Sequence, residues 1–505
     1  MDSILSVDLG TTAIKIMLFE TNGHVLAKST QEYTLLTPSA LEVELPVQTY
    51  WDAFKRGLAE VLAASKADQP RIQVIGISAQ GETLITVDQQ GSPLTNAIVW
   101  LDNRAQDEAA ALARHFTNEK AYGITGQVEI VPTWPAAKIL WLKRHAPDVF
   151  RRVTKFLLIE DYFIWKITGR YVCEGSLICS TVYWDIIKKV WWREMLDYLG
   201  VSEGQLPEIR ESGEVVGPLL PEIATELGLS PETLVATGAL DQACGAIGVG
   251  NIAPGVISEN TGAALAICAT VDRPTFDEKG RMPCHYHGMP NTYMAHTFTT
   301  GGMVLRWFRD MFCQPEVGVG SLCGLDSYDL LGKESATVPP GCEGLVMLPH
   351  LQGAMAPESN PKAKGVFYGF TLRHGRPHFV RAIMEAIAFA IRRNLDVLED
   401  IGIGVTEIRS LGGGSRSPLW SQIKADVSKR PVYTMQNEEA ACLGAAMLAG
   451  VAVGIYPDLR KAVSSMVALK DKLVPDAANS AAYDEAYRQY TGLYDSLLGM
   501  FAKGR

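Results

Sequence analysis

The stretch VDLGTTAIKIMLFETNGHVL, Val7 to Leu26, decides the fold. An apolar run, Ile4–Val7, ends in Asp8 and the small turn Leu9-Gly10-Thr11-Thr12. Ala13–Glu20 then sets Ile14, Ile16 and Leu18 against Lys15, the partial alternation of a strand with one buried face. Asn22-Gly23 is a strong hairpin signal, and His24–Tyr33 returns as a third strand. The two turns differ in chemistry. Asn22-Gly23 only reverses the chain, whereas Asp8–Thr12 offers backbone N–H groups, two hydroxyls and a carboxylate with little bulk.

The second half opens in the same way. Val256–Glu259 reads as a strand, Asn260-Thr261-Gly262-Ala263 as a small polar turn and Ala264–Ala269 as a second strand. Recurrence of this unit about 250 residues later points to a duplication, two related α/β domains facing each other; coincidence of two short glycine turns is the alternative. Between and after these hairpins, strands are expected at Ile72–Ser78, Thr83–Val87, Ile98–Trp100 and Arg409–Leu411. Helical spacing covers 47–67, 103–115, 134–145, 377–402, 438–449 and 479–501. The expected domains are 1–246 and 247–505, with the last helix, about 479–501, packing back on the first domain.

Bulk properties narrow the function. The 505 residues suffice for two or more domains. A net charge of −10 argues against a nucleic-acid partner, which needs a basic face. No apolar run reaches a membrane span, and Asp2 with no basic segment around it does not read as a signal peptide. The nine cysteines are scattered without a C-x-x-C pair, so reduced thiols in a cytoplasmic protein are expected.

Common nucleotide motifs are absent. There is no G-x-x-x-x-G-K-[ST] loop, and Gly248-x-Gly250 is followed by Ala253 where a dinucleotide fingerprint needs glycine. His285-x-His287 beside Cys284 lacks a third partner at ligand spacing and reads as a surface or core feature. Two aspartates stand out. Asp8 closes the first strand, and Asp241 lies between the strand Leu234–Ala236 and a Gly/Ala-rich helix; helix N-capping is the alternative for each.

SVDLGTTAIKIMLF, GALDQACGAIGVG, ENTGAALAICA and LGGGSRSPLW occur in the order found in the FGGY family of carbohydrate kinases, which this chain resembles over about Ile4 to Tyr456. Pro135–His145, with Lys138 and Trp141, is similar to that family's first signature, and Gly365–Phe370 with His378-Phe379 and Ala382–Glu385 to its second. The resemblance is closest in pattern to the xylulokinase branch. It implies an α/β fold of two ribonuclease-H-like domains, the actin and hexokinase type, around an interdomain cleft. It implies transfer of the ATP γ-phosphoryl to a sugar hydroxyl, with ATP and Mg²⁺ as cofactors and Asp241 as general base. By the same resemblance Asp8, with Asp241, would hold Mg²⁺, Gly10, Thr11, Thr12 and Lys15 would form the first phosphate loop, Thr261, Gly262 and Gly301 the second, and Gly413, Gly414 and Ser417 would lie against adenosine. Family members are often homodimers.

The acceptor is less defined. Glycerol kinases resemble Gln80-Gly81-Glu82-Thr83 with an arginine where Gly81 stands, which disfavours glycerol. The surroundings, GISAQG and AIVWLDNRA, look most like ketose kinases, although Gly353-Ala354-Met355-Ala356-Pro357 departs from the Gly-Glu-Arg-x-Pro of many members. An open-chain ketose or related polyol is therefore expected, with Gln80, Glu82, Trp100, Asp102, Asp241 and Gln242 around it and Arg104 near the entrance. The alternatives are an exposed Asp102–Arg104 ion pair and a solvated Glu82. A catalytically silent regulator of the same fold is the competing function, and Asp241 beside an intact Asp8 loop speaks against it. A plain nucleotide hydrolase would need a further binding domain, yet only about 50 residues follow Tyr456.

Overall fold

The computed structural model describes residues 2–65 and 70–503. The opening hairpin forms as its alternation dictates: β1 (Asp2–Leu9), β2 (Ala13–Glu20) and β3 (Val25–Glu32) are consecutive antiparallel strands. β4 (Arg71–Ala79) then pairs parallel to β1, and β5 (Leu234–Ala236) and β6 (Ala239–Leu240) pair parallel to β4. The helix Val47–Ala64 covers one face with Tyr50, Trp51, Phe54, Leu58 and Val61 buried. Its expected end at Ala67 lies outside the described residues.

The second sheet repeats the plan. β7 (Gly255–Thr261), β8 (Ala264–Val271), β9 (Cys284–Tyr286) and β10 (Tyr293–Thr300) form an antiparallel run in the order β7-β8-β10-β9. β11 (Val405–Leu411) and β12 (Val432–Met435) add parallel strands on the other side of β7. The series β3-β2-β1-β4-β5 and β10-β8-β7-β11-β12 have the same order and the same strand senses, so the duplication read from two short turns extends through five strands. The expected stub Arg409–Leu411 is the end of the longer β11.

Two helices rich in small residues join the halves. Asp241–Gly248 crosses Ala440–Ala452, which also packs on β1 and β4. A Cβ on Gly248 would sit 1.9 Å from the Ala440 carbonyl oxygen, and one on Gly444 1.9 Å from that of Cys244. Only glycine permits backbones this close. The expected boundary after residue 246 falls within the helix Asp241–Gly248. The last helix, Ser480–Lys503, corrects an expectation. It packs on the second half, not the first: Arg381 donates to Tyr483 at 2.8 Å, and Phe389 meets the Tyr490 ring at 5.5 Å. Its buried tyrosines supply an apolar stripe that the long helix Arg376–Asp400 covers.

Candidate active site

A cavity of about 260 Å³ lies between the halves, lined by Asp8, Lys15, Asp241, Gln242, Asn260, Gly412 and Glu439 among others. Asp8 stands at the open end of β1, with Ser78 of β4 as its register partner; the Ser78 hydroxyl donates to its carboxylate at 2.8 Å. Gly10 N–H donates to the Ala13 carbonyl at 3.1 Å, and a Cβ on Gly10 would stand 2.8 Å from that same oxygen. The Thr11 hydroxyl accepts from the Trp100 indole at 2.8 Å, while Thr12 is exposed. Lys15 does not reach into the cavity as a free cation. Its ammonium lies 2.5 Å from the Glu439 carboxylate, an ion pair that bridges the two halves.

Asp241 occupies the first position of its helix, directly after β6. Buried carboxylates hold the segment that delivers it. Glu160 accepts from Gly238 N–H at 2.7 Å, and Ser176, itself bonded to Glu174, accepts from Leu240 N–H at 2.9 Å. Asp241 is partly open to the cleft. Burial, then the charge of Asp8 and more weakly that of Glu82, push its carboxyl up to about 7. Burial likewise raises Asp8, against the Ser78 hydrogen bond and Lys15.

Gln80 is buried, and its amide donates to the Gly10 carbonyl at 3.1 Å and the Tyr50 hydroxyl at 3.2 Å. Its carbonyl oxygen is buried without a partner, which a buried acceptor tolerates poorly. Glu82 adopts φ 56° and is only partly exposed; burial raises its carboxyl, with Ser180 and Lys138 opposing. Lys138, fully buried, donates at 2.9 Å to both the Glu82 and the Val99 carbonyls. It thereby ties together the loops that carry Glu82 and Trp100. Burial lowers its ammonium to about 7. The sequence placed Lys138 in a signature but did not show this clamp.

Asp102 and Arg104 are corrected. They form a buried pair, not an exposed one: Asp102 accepts from Val43 N–H at 2.6 Å and Arg104 Nη2 at 2.8 Å, while the guanidinium also reaches Glu44 and stacks on Trp141. Both carboxylate oxygens of Asp102 are committed, leaving it no role at a sugar. In the second turn, the hydroxyl of buried Thr261 donates inward to Glu259, away from the cavity. Gly262 N–H bonds the Ala264 carbonyl at 3.0 Å, and Gly301 passes so close to β8 that a Cβ would lie 2.4 Å from Leu265 N. Gly413 is exposed, Gly414 packs on Thr261, and the Ser417 hydroxyl caps the helix Pro418–Ser428. Glycine at 301 and 414 thus serves packing between strand ends in this conformation.

The N-terminal domain model of the FGGY family of carbohydrate kinases matches residues 3–248, and its C-terminal domain model matches 264–453. The chain belongs to the FGGY family of carbohydrate kinases. It is 32% identical over 465 residues to a gluconokinase of Bacillus subtilis strain 168, covering 92% of this chain and 90% of that protein. To the xylulose kinase of the same organism it is 30% identical over 495 residues, covering 98% and 97%. The ligand-bound xylulose kinase of Lactobacillus acidophilus superposes with a TM-score of 0.91 at 27% identity, covering all of both chains. This FGGY kinase is therefore a sugar phosphotransferase with the two-domain architecture of its structural neighbours. Among the described residues, no helix is long and apolar enough to cross a membrane.

Proposed function

We propose that this FGGY kinase transfers the γ-phosphoryl group of ATP to a hydroxyl of a small open-chain sugar, a ketopentose such as xylulose, with Asp241 as general base. The observation that carries this reading is the placement of Asp241 at a helix start, partly open to the cavity it lines with Asp8, where burial and Asp8 push its carboxyl up to about 7. A base titrating near the working pH combines an available lone pair with proton affinity. Asp241 takes the hydroxyl proton, and Gln80 Oε1, a buried acceptor with no protein partner, receives a second hydroxyl of the acceptor. In the first turn the Thr11 and Thr12 N–H groups offer the phosphates backbone donors, while the Gly10 and Gly262 N–H groups are held by the Ala13 and Ala264 carbonyls.

The donor set fits Mg²⁺. Asp8 and Asp241 are hard oxygen ligands, with Asp8 close enough to raise the proton affinity of Asp241, and a dication between them would relieve that repulsion. Among the described residues no group of three or more His, Cys, Asp or Glu gathers to cage a metal, as suits an ion that keeps several waters and shares phosphate oxygens. When bound, it would neutralise charge on the phosphates.

A sugar acid is the competing acceptor, because the chain is also 32% identical to a gluconokinase. A coupled ATP-consumption screen over ketoses, polyols and sugar acids tests the reading. Turnover with a ketopentose is expected; no acceptor-dependent ATP consumption with any of them would overturn it.

A further inference from the structure

A row of side chains on the second half shares the face of β8 that lines the cavity. On β8, Ala266 and Cys268 line the cleft beside Asp241 and Gln242. The register of β8 and β10 sets Phe298 opposite Ala266 and His296 opposite Cys268, so these side chains share the cleft-facing side. β9 adds His285, whose ring lies 5.3 Å from that of His296. At one end His285 Nδ1 is 3.4 Å from Cys179 Sγ, and the hydroxyl of the next residue, Ser180, lies 3.6 Å from where a Cβ on Gly81 would stand. At the other end His296 Nδ1 is 3.3 Å from Cys268 Sγ, which lies 3.9 Å from the Gln242 carbonyl. The two imidazoles thus span from the Gln80–Glu82 loop to the Asp241-Gln242 pair.

Their hydrogen bonds determine what they present. His296 Nδ1 lies 3.2 Å from the Ile267 carbonyl, which can only accept, so Nδ1 carries the proton and Nε2 the lone pair. The Cys179 thiol donates to the Ser176 carbonyl at 3.0 Å, so its sulfur accepts from His285 Nδ1–H, and His285 Nε2 also holds a lone pair. Neither Nε2 has a protein partner among the described residues. Burial holds both rings neutral, His296 at about 4 and His285 well below the ordinary range. The nearby cations are engaged: Lys138 on two carbonyls and Lys15 on Glu439.

We infer that His285 and His296 are specificity-determining residues, an acceptor-only wall of the sugar pocket that takes the hydroxyls of an uncharged open-chain ketose and rejects the carboxylate of a sugar acid. The inference rests on the kinase reading above and narrows its substrate class. A hydroxyl can donate to either Nε2. A carboxylate would meet two lone pairs and the Glu82 and Asp241 carboxyls, with neither nearby cation free.

The test compares D-xylulose with D-xylonate, as substrates and, with a non-hydrolysable ATP analogue, as calorimetric ligands. Wild-type enzyme should favour the ketose in kcat/KM by about 100-fold, and His296→Leu should raise the ketose KM about 10-fold or more while the ATP KM stays within about twofold. His296→Gln, which restores an acceptor, should recover most of the loss, and His285→Leu should act in the same direction. Equal or better use of the acid by the wild type would overturn the inference, as would an unchanged ketose KM or affinity in folded His296→Leu and His285→Leu. The wild-type comparison decides the matter without a variant should both leucine variants fail to fold. Should no acceptor drive ATP consumption, the kinase reading falls, and the calorimetric arm still decides the pocket: ketose affinity lost in His296→Leu upholds it, and no ketose binding by the wild type overturns it.

Discussion

Asp8 and Glu259 both lie near the end of the first strand of their half, but one residue out of step: Gly10 matches Gly262, so Asp8 matches Asn260 and Glu259 precedes it. Each sits on the first strand of its sheet and accepts from a serine on the parallel neighbour, Ser78 at 2.8 Å and Ser410 at 2.6 Å. Asp8 faces the cavity with Asp241 across from it. Glu259 is fully buried and is neutralised by Lys424 at 2.9 Å, itself fully buried. Strand alternation thus sends Asp8 and Asn260 to the cavity and turns Glu259, one residue before Asn260, into the interior, where Lys424 meets it. The carboxylate without a buried cation is the one open to the cavity.

The largest expected effect tests the open side. Asp241→Asn should lower kcat by about 10³-fold or more, with nucleotide affinity nearly unchanged by calorimetry; near-normal turnover would remove the base assignment. Next comes the closed side. Lys424→Met leaves Glu259 buried without its cation and should destabilise the enzyme by about 3–5 kcal/mol in urea titration. The double variant Lys424→Met with Glu259→Leu should regain much of that loss, and a double variant no better than the single would show that the pair is not the reason.

The first half also buries carboxyls without a cation, and this contrast can be read in pH. Burial pushes Glu174 to about 7, against hydrogen bonds from Ser212 and Ser176, and raises the neighbouring Glu160 and Asp161 further. A folded-state pKa above the unfolded one means that the native state binds the proton more tightly. Glu174 therefore favours folding at low pH and progressively loses that contribution as pH rises from about 4.3 through about 7. The Tm of Glu174→Gln relative to wild type should increase between pH 5 and pH 8; a difference independent of pH would show that Glu174 keeps its ordinary titration. The smallest effects concern the two serines. Ser78→Ala and Ser410→Ala should each cost about 1 kcal/mol of stability, but only Ser78→Ala should also alter the Mg²⁺ dependence of activity. Equal kinetic consequences from both would weaken the contrast between the halves.

The hairpins and their turns were legible because strand alternation and small-residue turns are local signals. β1 to β3, the strand β4 and the hairpin β7–β8 all stand where the pattern placed them. Asp8, Gly10 and Asp241 could be singled out because each ends an apolar strand at a small-residue turn or helix start. Other features depend on partners far along the chain. Lys138 reads as one more helical residue until its ammonium reaches two carbonyls of distant loops. Asp102 and Arg104 look like a surface pair until Val43 and Trp141 enclose them. His285 and His296 carry no spacing signal, because their meeting is a matter of sheet register.

By itself the amino-acid sequence determined the duplicated α/β plan, the family and the two aspartates, since periodicity, turn chemistry and motif order are written within short windows. Only the tertiary structure decided which carboxylate is neutralised, which hydroxyls turn inward and which side chains wall the acceptor space. Those outcomes follow from burial and hydrogen bonding between residues as far apart as Lys15 and Glu439, and a contact of that range leaves no trace in the local sequence.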